Sequence, residues 1–536
     1  MKYLSPIRKA AALTILLALA SAHSAGSSNM PLPPPNSMSS IKQADLKTHL
    51  SFLASDELGG RYTFSPSLRV AADYLASQLK SYGYRGGARD GTFLQNVPLG
   101  YRGVDSEKSD IVLTGSSFKK RLKYGEDFLS QQDFDASVSG ELVFAGYGIS
   151  SPSNKHDDYA GLDVKGKIVV IAGGAPEQLK AARIPEGERG AEAAYARGAK
   201  AVISIPSQRV LQAWSATREY LSRGRLGIVQ PSARNFPVVM AGSVLIKLIA
   251  TALGKEEAYL RKPEGKPLEP AKLPLSAEVR VDVTVKELPP THNVVAVLEG
   301  SDPKLKNEYV VVSAHYDHLE TSSSGEVYNG ADDDGSGTSA VLEIAQAFAT
   351  GPRSKRSVLV ILHTAEELGL FGSEFYTDYD PVVPLDRLVA NLNIDMIGRS
   401  RLPGNSDSRD RDLSDPNTVY LIGADKLSTE LNRVSEKTNA DTVAMNLDYK
   451  YNEDHDPERF YYRSDHYNYA RHGIPIIFYF TGPHRDYHRS SDDLDKIDFE
   501  KMERITKLIF ATGWRIANLP DRPPVDKKPA EDDTLK

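Results

Sequence analysis

The sequence predicts an α/β fold whose core is a doubly wound, mostly parallel sheet with helices on both faces. The main observation is a set of long apolar runs, typical of strands that are buried on both faces. Five of these runs lie in the second half of the chain: Val294–Leu298, Tyr309–Ala314, Val358–Leu362, Leu388–Ile394 and Ile474–Phe480. Helical segments such as Thr338–Ala349 alternate with them. Alternation of strands and helices favours a parallel sheet.

Length and composition indicate more than one domain and limit the chemistry. The chain has 536 residues, too many for one simple core. Its formal net charge of -6 gives no electrostatic basis for binding nucleic acid. Cysteine is absent, which excludes disulfides, thiol catalysis and cysteine-ligated zinc. Any metal ion would therefore have to be held by His, Asp and Glu.

The first 22 residues have the pattern of a signal peptide. Basic residues precede the short apolar stretch Ala10–Ala20, and Ala20–Ser21–Ala22 offers a small-residue cleavage site. The alternative is a membrane anchor, but the stretch is too short to span a bilayer as a helix. We expect an exported protein, periplasmic or secreted, without a membrane contact after signal cleavage.

The remainder of the chain predicts a main domain interrupted by an insertion. Residues 23–40 are interpreted as a linker, and helical periodicity follows in Ile41–Tyr82. Residues 41–135 and 276–518 are assigned to the main domain. Residues 136–275 are interpreted as an inserted smaller α/β domain.

The ends of these domains are marked by composition. The Pro-rich stretch Lys262–Pro274 is interpreted as the exit linker of the insertion. The alternative is that the inserted residues extend the main sheet. The charged, Pro-rich residues 519–536 are expected to form a disordered tail.

Acids and histidines follow the predicted strands in five segments. They are His315–Tyr316–Asp317, Gly330–Gly337, Thr364–Gly369, Asn393–Gly398 and Asp486–Asp492. Ligands of open α/β sheets bind at the carboxyl ends of the strands. Each segment alone has an ordinary interpretation, since an Asp run before a helix is often a cap. An acid inside an apolar stretch, such as Asp395, is harder to explain because burying an unpaired charge is costly.

A cation at this sheet edge would neutralise several acids together. Two divalent ions about 3.5–4 Å apart can share a carboxylate, polarise a carbonyl and generate a nucleophile at neutral pH. Such a site needs nitrogen and oxygen ligands and a free carboxylate as general base. The adjacent Glu366 and Glu367 suit the roles of base and ligand. Zinc fits these ligand types, and manganese or cobalt are alternatives.

In order and local context, the five segments resemble the co-catalytic di-zinc aminopeptidase family, which includes aminopeptidase Y and bacterial leucyl aminopeptidases. Glutamate carboxypeptidase II is a more distant relative. The likeness covers Val281–Asn518 and the helices of Ile41–Tyr82. The inserted region, with Tyr147–Gly148–Ile149, Asp158–Tyr159 and Lys165–Val169, resembles less specifically the protease-associated domain found inserted in many members.

The resemblance implies two Zn²⁺ ions and one ligand set. The five ligands would be His315, Asp333, Glu367, Asp395 and His488. Asp333 would bridge, sharing one zinc with His315 and Asp395 and the other with Glu367 and His488. Asp332 and Asp334 are alternatives one position away. The resemblance favours Asp333, because the bridging residue of the family lies two residues before the small residue of the next turn, here Gly335.

The resemblance also implies catalytic roles. Glu366 would be the general base that takes a proton from the bridging water and gives it to the leaving amine. Asp317 would orient His315, and Tyr487 would hydrogen-bond the tetrahedral oxyanion. His466 is a candidate for substrate contact. The other histidines are open to a structural or surface interpretation: His318, His363, His455, His472 and His484.

Together these features predict an exported zinc metallo-exopeptidase, an aminopeptidase that removes N-terminal residues from peptides through a bridging hydroxide. The free α-amine would be held by acids that include Glu366 and Asp395. One alternative on the same fold is a glutaminyl cyclase-like enzyme with a single zinc. Another is a carboxypeptidase-type relative, which would need pocket arginines such as Arg399, Arg463 or Arg489. A binding protein with a relic site fits the intact ligand set less well.

Overall fold

The computed structural model describes residues 30–132, 134–182, 184–229, 236–261, 265, 267–453 and 456–528. The predicted signal peptide, His455 and residues 529–536 of the predicted tail lie outside the described residues. No helix in the described ranges is long and apolar enough to cross a membrane. The chain divides into two compact units, one formed by residues 30–97 and 291–528 and the other by Pro98–Pro290.

The strands of both units are numbered in chain order. Strands β1–β8 are Arg85–Gly86, Leu94–Val97, Leu99–Val104, Asp110–Gly115, Lys119–Lys123, Phe128–Ser130, Ala136–Phe144 and Ser150–Ser151. Strands β9–β15 are His156–Asp157, Ile168–Ala172, Ala201–Ile205, Arg225–Ile228, Val238–Ala241, Ala271–Val281 and Val283–Glu287. Strands β16–β22 are Thr291–Leu298, Tyr309–His315, Ser357–His363, Leu388–Ile394, Thr418–Ile422, Asn446–Asp448 and Ile476–Phe480.

The α-helices are numbered in the same way. Helices α1–α6 are Pro35–Ser40, Gln43–Leu53, Pro66–Ser81, Gly190–Ala196, Gln208–Gln212 and Trp214–Ser222. Helices α7–α13 are Ser243–Ala252, Glu257–Arg261, Gly337–Thr350, Phe371–Glu374, Thr429–Asp441, His466–Ala470 and Phe499–Asn518. Short single-turn helices connect several of these elements.

The larger unit is built on a sheet that is covered on both faces. Its strand order is β1-β16-β18-β17-β19-β22-β20-β21, with β2 also paired to β16. Along β17, Val310 and Val312 pack in a core formed with helices α2, α3, α9 and α13, whereas Val311 packs on the opposite face with Tyr376 and Tyr469. Each fully buried side chain of this kind stabilises the fold by about 1.5–3 kcal/mol. The predicted two-sided α/β layering is therefore present.

The prediction of a mostly parallel sheet is wrong in its proportions. Strands β18, β17, β19 and β22 are parallel neighbours. Strand β16, however, runs antiparallel to β18, and β20 runs antiparallel to β22. A run such as Val294–Leu298 is buried on both faces in either direction, so its composition does not encode the direction. The four central parallel strands still bring their carboxyl ends to one edge.

The second unit has its own sheets and core. An eight-stranded sheet has the order β5-β4-β14-β7-β10-β11-β13-β6, in which β7, β10, β11 and β13 are parallel. Strands β12, β3 and β15 form a separate three-stranded sheet. The unit contains more residues than the predicted insertion of residues 136–275. The hairpin β4–β5, which precedes residue 136, belongs to it because β4 pairs with β14.

Three segments predicted to lack structure are ordered in part. The predicted linker 23–40 contains α1, whose Pro35 suits a first helical position. The predicted exit linker Lys262–Pro274 runs into β14, where alternate side chains are buried. In the predicted tail, Arg522 Nη2 donates to Leu388 O at 2.5 Å, and Asp526 N donates to Leu427 O at 3.0 Å. These polar contacts fix the described part of the tail.

Candidate metal centre

The carboxyl ends of the central strands bring the predicted ligands together. Strand β17 ends at His315, β19 is followed directly by Asp395, and β18 is followed by the loop that carries Glu366 and Glu367. Asp333 lies in the tight turn Ala331–Ser336 before α9. His488 lies in the loop after β22 and has a left-handed φ of 55°.

One half of the cluster forms around His315. Its Nε2 lies 3.4 Å from Asp333 Oδ1, 3.6 Å from Asp395 Oδ1 and 3.9 Å from Glu366 Oε2. His315 and Asp333 are almost fully buried, with 1% and 4% of their side chains exposed. These are the two partners that the sequence assigned to His315, with the predicted base beside them.

The other half forms around His488. Its Nε2 lies 3.1 Å from Asp333 Oδ2 and 3.2 Å from Glu367 Oε2. The two oxygens of Asp333 thus face different histidines. The bridging role of Asp333 stays a prediction.

The neighbours of Asp333 have other partners. Asp334 accepts backbone N–H groups of His315, Gly337 and Met396 at 3.3, 2.9 and 3.1 Å. Its ligand atoms are nevertheless within 4.8 Å of those of His315 and Asp395. Burial and the nearby Asp395 raise the pKa of Asp334 well above its usual value. A carboxyl that already accepts from three backbone donors suits a supporting role better than a ligand role.

The carboxylate oxygens of Asp332 also contact other groups of the protein. Its Oδ1 accepts the N–H of Gly398 at 2.6 Å and the hydroxyl of Ser336 at 2.9 Å. Its Oδ2 lies 3.2 Å from His484 Nε2. Asp332 therefore anchors the turn that carries Asp333, and His484 belongs to this support.

The buried acids and histidines perturb one another strongly. Burial alone would raise the pKa of Asp333, but His318, His315 and His488 hold it well below its usual value. Burial raises the pKa of Glu366 well above its usual value, and Asp395 and Glu367 add to this rise. Burial lowers the pKa of His488, but Asp333 and Glu367 raise it to about 10. Protons on the histidines thus balance the acids of the cluster.

The donor set fits a divalent cation. His315 Nε2 and Asp333 Oδ2 are buried without a hydrogen-bond partner among the described residues. Both atoms point into the acid cluster, where a cation would take the place of the histidine protons. Imidazole nitrogens and carboxylate oxygens, without cysteine, are ligands that zinc accepts.

Asp317 contacts His315, as predicted, but does so through its main chain. His315 Nδ1 lies 3.1 Å from the backbone oxygen of Asp317, whereas the Asp317 carboxylate is 3.9 Å away. The carboxylate instead accepts the hydroxyl of Thr63 at 2.8 Å and the N–H of Glu366 at 3.2 Å. Asp317 therefore orients His315 through its main chain and positions Glu366 through its side chain.

His318 is a member of the cluster that sequence reasoning missed. It is buried, and its Nδ1 lies 2.7 Å from Glu367 Oε1 and 3.6 Å from Asp333 Oδ2. Its position three residues after His315, in the loop at the same strand end, was the available signal. Asp492 is a second supporting residue, since its Oδ2 accepts the N–H groups of Asp332 and Asp333 at 2.9 and 3.2 Å.

His466 does not reach the substrate side of the cluster. It is fully buried, its Nε2 lies 2.8 Å from Tyr461 O, and its ring stacks on Phe478 at 4.5 Å. Tyr487 does face the centre, with its ring stacked on His488 at 3.9 Å. Burial and the nearby acids raise the pKa of Tyr487, so its hydroxyl stays protonated.

An open cavity of ≈ 300 Å³ adjoins the cluster. Its polar wall is formed by Asp333, Glu366, Glu367, Asp395 and His488. Its apolar wall includes Leu370, Met396, Phe460, Phe478, Phe480 and Tyr487. Arg463 also lines it. Arg399 does not, because it is buried against Asp486 and Asp492 at 2.7 and 3.5 Å.

Comparison with known proteins identifies the region that carries the cluster. Residues 293–513 match the model of Peptidase family M28. A probable leucine aminopeptidase 2 of Aspergillus oryzae is 26% identical over 415 residues, which are 76% of this chain and 66% of that protein. Aminopeptidase YwaD of Bacillus subtilis is 26% identical over 373 residues, which are 68% of this chain and 66% of that protein. The matches thus span just under two thirds of each relative.

Among solved structures, a zinc aminopeptidase from Bacillus subtilis is 20% identical, with a TM-score of 0.42. The match covers 91% of this chain and 98% of that chain. The family match confirms the resemblance stated from the five segments.

Proposed function

We propose, from the premise that residues 293–513 belong to peptidase family M28, that the chain is a zinc-dependent aminopeptidase acting on peptides with a free N-terminus. The observation that carries the proposal is the placement of Asp333 between two histidines. Its Oδ1 lies 3.4 Å from His315 Nε2 and its Oδ2 lies 3.1 Å from His488 Nε2. A carboxylate that faces two histidines in this way suits a bridging ligand of two ions.

Two zinc ions would be held by the predicted ligands. His315, Asp333 and Asp395 form one set, and Asp333, Glu367 and His488 form the other. The ions would polarise the scissile carbonyl and lower the pKa of a water molecule. His318 would hold Glu367 in place through the 2.7 Å contact between its Nδ1 and Glu367 Oε1.

Glu366 would move the proton in this reaction. Its carboxylate lines the cavity beside the ligands, and its backbone N–H is fixed by Asp317 at 3.2 Å. Burial and neighbouring acids raise the pKa of Glu366, so it retains a proton more readily than an exposed glutamate. Glu366 would take the proton from the attacking water and deliver it to the leaving amine.

The cavity walls would bind the first residue of the peptide. The acids of the polar wall would attract its α-ammonium group. The apolar wall would receive its side chain. Tyr487, with its protonated hydroxyl, would donate a hydrogen bond to the oxyanion of the tetrahedral intermediate.

A carboxypeptidase-type activity is the second candidate because Arg463 lines the cavity. Its guanidinium lies 4.7 Å from the ring of Phe460, and Nη1 lies 3.5 Å from Glu458 O. It is thus a cation in the cavity wall that could meet a substrate carboxylate. A glutaminyl cyclase-like activity is the third candidate, retained from the sequence.

Matched substrates distinguish these candidates. The aminopeptidase proposal predicts release of nitroaniline from leucine p-nitroanilide and none from its N-acetyl derivative, with loss of activity on chelation. Cleavage of N-acetylated dipeptides at a C-terminal acidic residue would favour the carboxypeptidase. Cyclisation of N-terminal glutamine without amide hydrolysis would favour the cyclase.

We also propose that the chain is exported and that its second unit is a protease-associated domain. The signal pattern of residues 1–22 supports export. The parallel strands β7, β10, β11 and β13 support an independent α/β insertion. N-terminal sequencing of the protein recovered outside the cytoplasm tests export. A mature chain that begins near residue 23 is the expected result, and retention of Met1 in the cytoplasm would contradict it.

A further inference from the structure

One buried arginine contacts two of the five segments that carry predicted ligands. Arg61 has only 1% of its surface exposed. Its Nε donates to Tyr316 O at 2.9 Å, directly after His315. Its Nη1 donates to Asn329 O at 2.6 Å and its Nη2 to Gly330 O at 3.0 Å, directly before the turn that carries Asp333. A further bond from Nη1 to the carbonyl of residue 53, at 2.6 Å, connects it to helix α2.

The chain around Arg61 makes further contacts with the same loop. The N–H of His318 donates to Arg61 O at 3.2 Å. The hydroxyl of Thr63 donates to Asp317 Oδ2 at 2.8 Å. Gly60 has a φ of +83°, and a Cβ there would lie 2.4 Å from Leu319 O. A glycine is therefore required for the segment to lie this close to the ligand loop.

The chemistry of arginine suits this task. The planar guanidinium presents donors in a fixed fork, so one side chain can hold several carbonyls in a defined geometry. Burial lowers the pKa of Arg61, and the nearby Asp333, Asp334, Asp317 and Asp492 oppose this shift and favour its charged form.

We propose that Arg61 and Thr63 are positioning residues that hold the two ligand-bearing loops in a geometry competent for zinc. The inference rests on the proposed function, and it adds a segment that lies far outside the family match at residues 293–513. Neither residue would touch the metal or the substrate. Their loss would therefore weaken zinc binding even though every ligand is retained.

A second buried arginine provides the matched control. Arg356 is also 1% exposed and donates to backbone carbonyls, those of Ile516 and Leu519, at 3.3 and 2.5 Å. Its Nε also donates to Glu308 at 2.6 Å. None of these partners carries a predicted ligand. Arg356→Lys thus reproduces the loss of a buried guanidinium without disturbing the ligand loops.

The test measures zinc affinity and unfolding temperature of the full chain by competition with a chromophoric chelator and by thermal denaturation of the metal-free protein. Arg61→Lys should weaken zinc binding by about 10- to 100-fold, the usual effect of losing an outer-shell partner. Thr63→Val should weaken it in the same direction. Arg356→Lys should lower the unfolding temperature, and its zinc affinity should equal that of the wild type.

Other outcomes separate the two proposals. Wild-type zinc affinity in Arg61→Lys, or an equal loss in Arg356→Lys, would overturn the inference. If Arg61→Lys does not fold, Thr63→Val decides, and unchanged zinc affinity in that variant would overturn it. A wild-type chain that binds no zinc would instead overturn the proposed function.

Discussion

The carboxylate of Asp317 accepts the backbone N–H of Glu366 at 3.2 Å. The two residues follow neighbouring parallel strands, β17 and β18, so the contact joins two strand ends across the sheet edge. This hydrogen bond fixes the main chain of Glu366, the proposed base. Asp317 therefore acts on the base as well as on His315.

Asp317→Asn should separate positioning from metal binding. An amide keeps the size of the side chain but places an NH₂ group against one of the two donors, Thr63 or Glu366, that the carboxylate now accepts. We expect kcat at saturating zinc to fall by about 10- to 100-fold, because the N–H of Glu366 loses a well-placed acceptor. Steady-state kinetics and elemental analysis of the same preparation measure this. A variant with full kcat would show that the Glu366 contact is dispensable.

The assignment of Asp333 among three consecutive aspartates can be tested by their amides. Asp333→Asn should lose zinc from both sets, because its two oxygens face His315 and His488. Asp332→Asn is the matched comparison and should lose less zinc than Asp333→Asn, since its carboxylate accepts from Gly398 and Ser336 and supports the turn without being a predicted ligand. Zinc per chain after dialysis distinguishes them. Retention of zinc by Asp333→Asn would move the bridging role to a neighbour.

Arg463 is expected to influence which N-terminal residues are accepted. Its exposed guanidinium lines the cavity, so it should repel a basic first residue and attract an acidic one. Arg463→Gln should raise kcat/KM for lysine relative to glutamate substrates by about fivefold, since an exposed charge pair contributes up to about 1 kcal/mol. Arg489→Gln is the control, because Arg489 is exposed but does not line this cavity. An unchanged ratio in Arg463→Gln would remove the residue from substrate selection.

The buried His466 should make stability depend on pH. Burial lowers its pKa from 6.5 to about 3. As pH falls from 6.5 towards 3, the unfolded chain binds a proton that the folded chain excludes. The free energy of unfolding therefore falls in this range, with a slope of up to about 1.4 kcal/mol per pH unit from this group.

His466→Gln tests this linkage. Glutamine can still donate to Tyr461 O but does not titrate. Denaturant unfolding between pH 5 and pH 6.5 gives the change of the unfolding free energy with pH. This change should be smaller in the variant, by an amount that corresponds to the uptake of up to one proton. Equal slopes would mean that His466 is protonated in the folded state.

Much of the fold was predictable where one local pattern determines the structure. Strand Leu388–Ile394 has the predicted bounds because its mostly apolar run ends at Asp395. Strand β14 was missed because its first part is Pro- and Lys-rich, although Leu273, Leu275 and Ala277 alternate with exposed residues. Composition was given more weight there than periodicity.

The members of the cluster at strand ends were indicated by the sequence pattern, the complete ligand set was implied by the family resemblance, and the supports were not predicted. His315, Asp395 and Glu367 each follow a buried run in the sequence. Arg61 instead acts through backbone carbonyls of residues such as Tyr316, 255 positions away. Every residue has a backbone carbonyl, so the residue type does not reveal such a contact. The same holds for the main-chain bond between His315 and Asp317.

The most direct test of the account compares Glu366→Gln with Glu367→Gln, by zinc per chain and turnover of a free-amine substrate. These adjacent residues have different proposed tasks, so Glu366→Gln should keep the zinc content of the wild type, about two per chain. Its kcat should fall by about 10²–10⁴-fold. Glu367→Gln should lose zinc. Turnover unchanged in Glu366→Gln, or zinc lost from it as readily as from Glu367→Gln, would contradict the division into base and ligand.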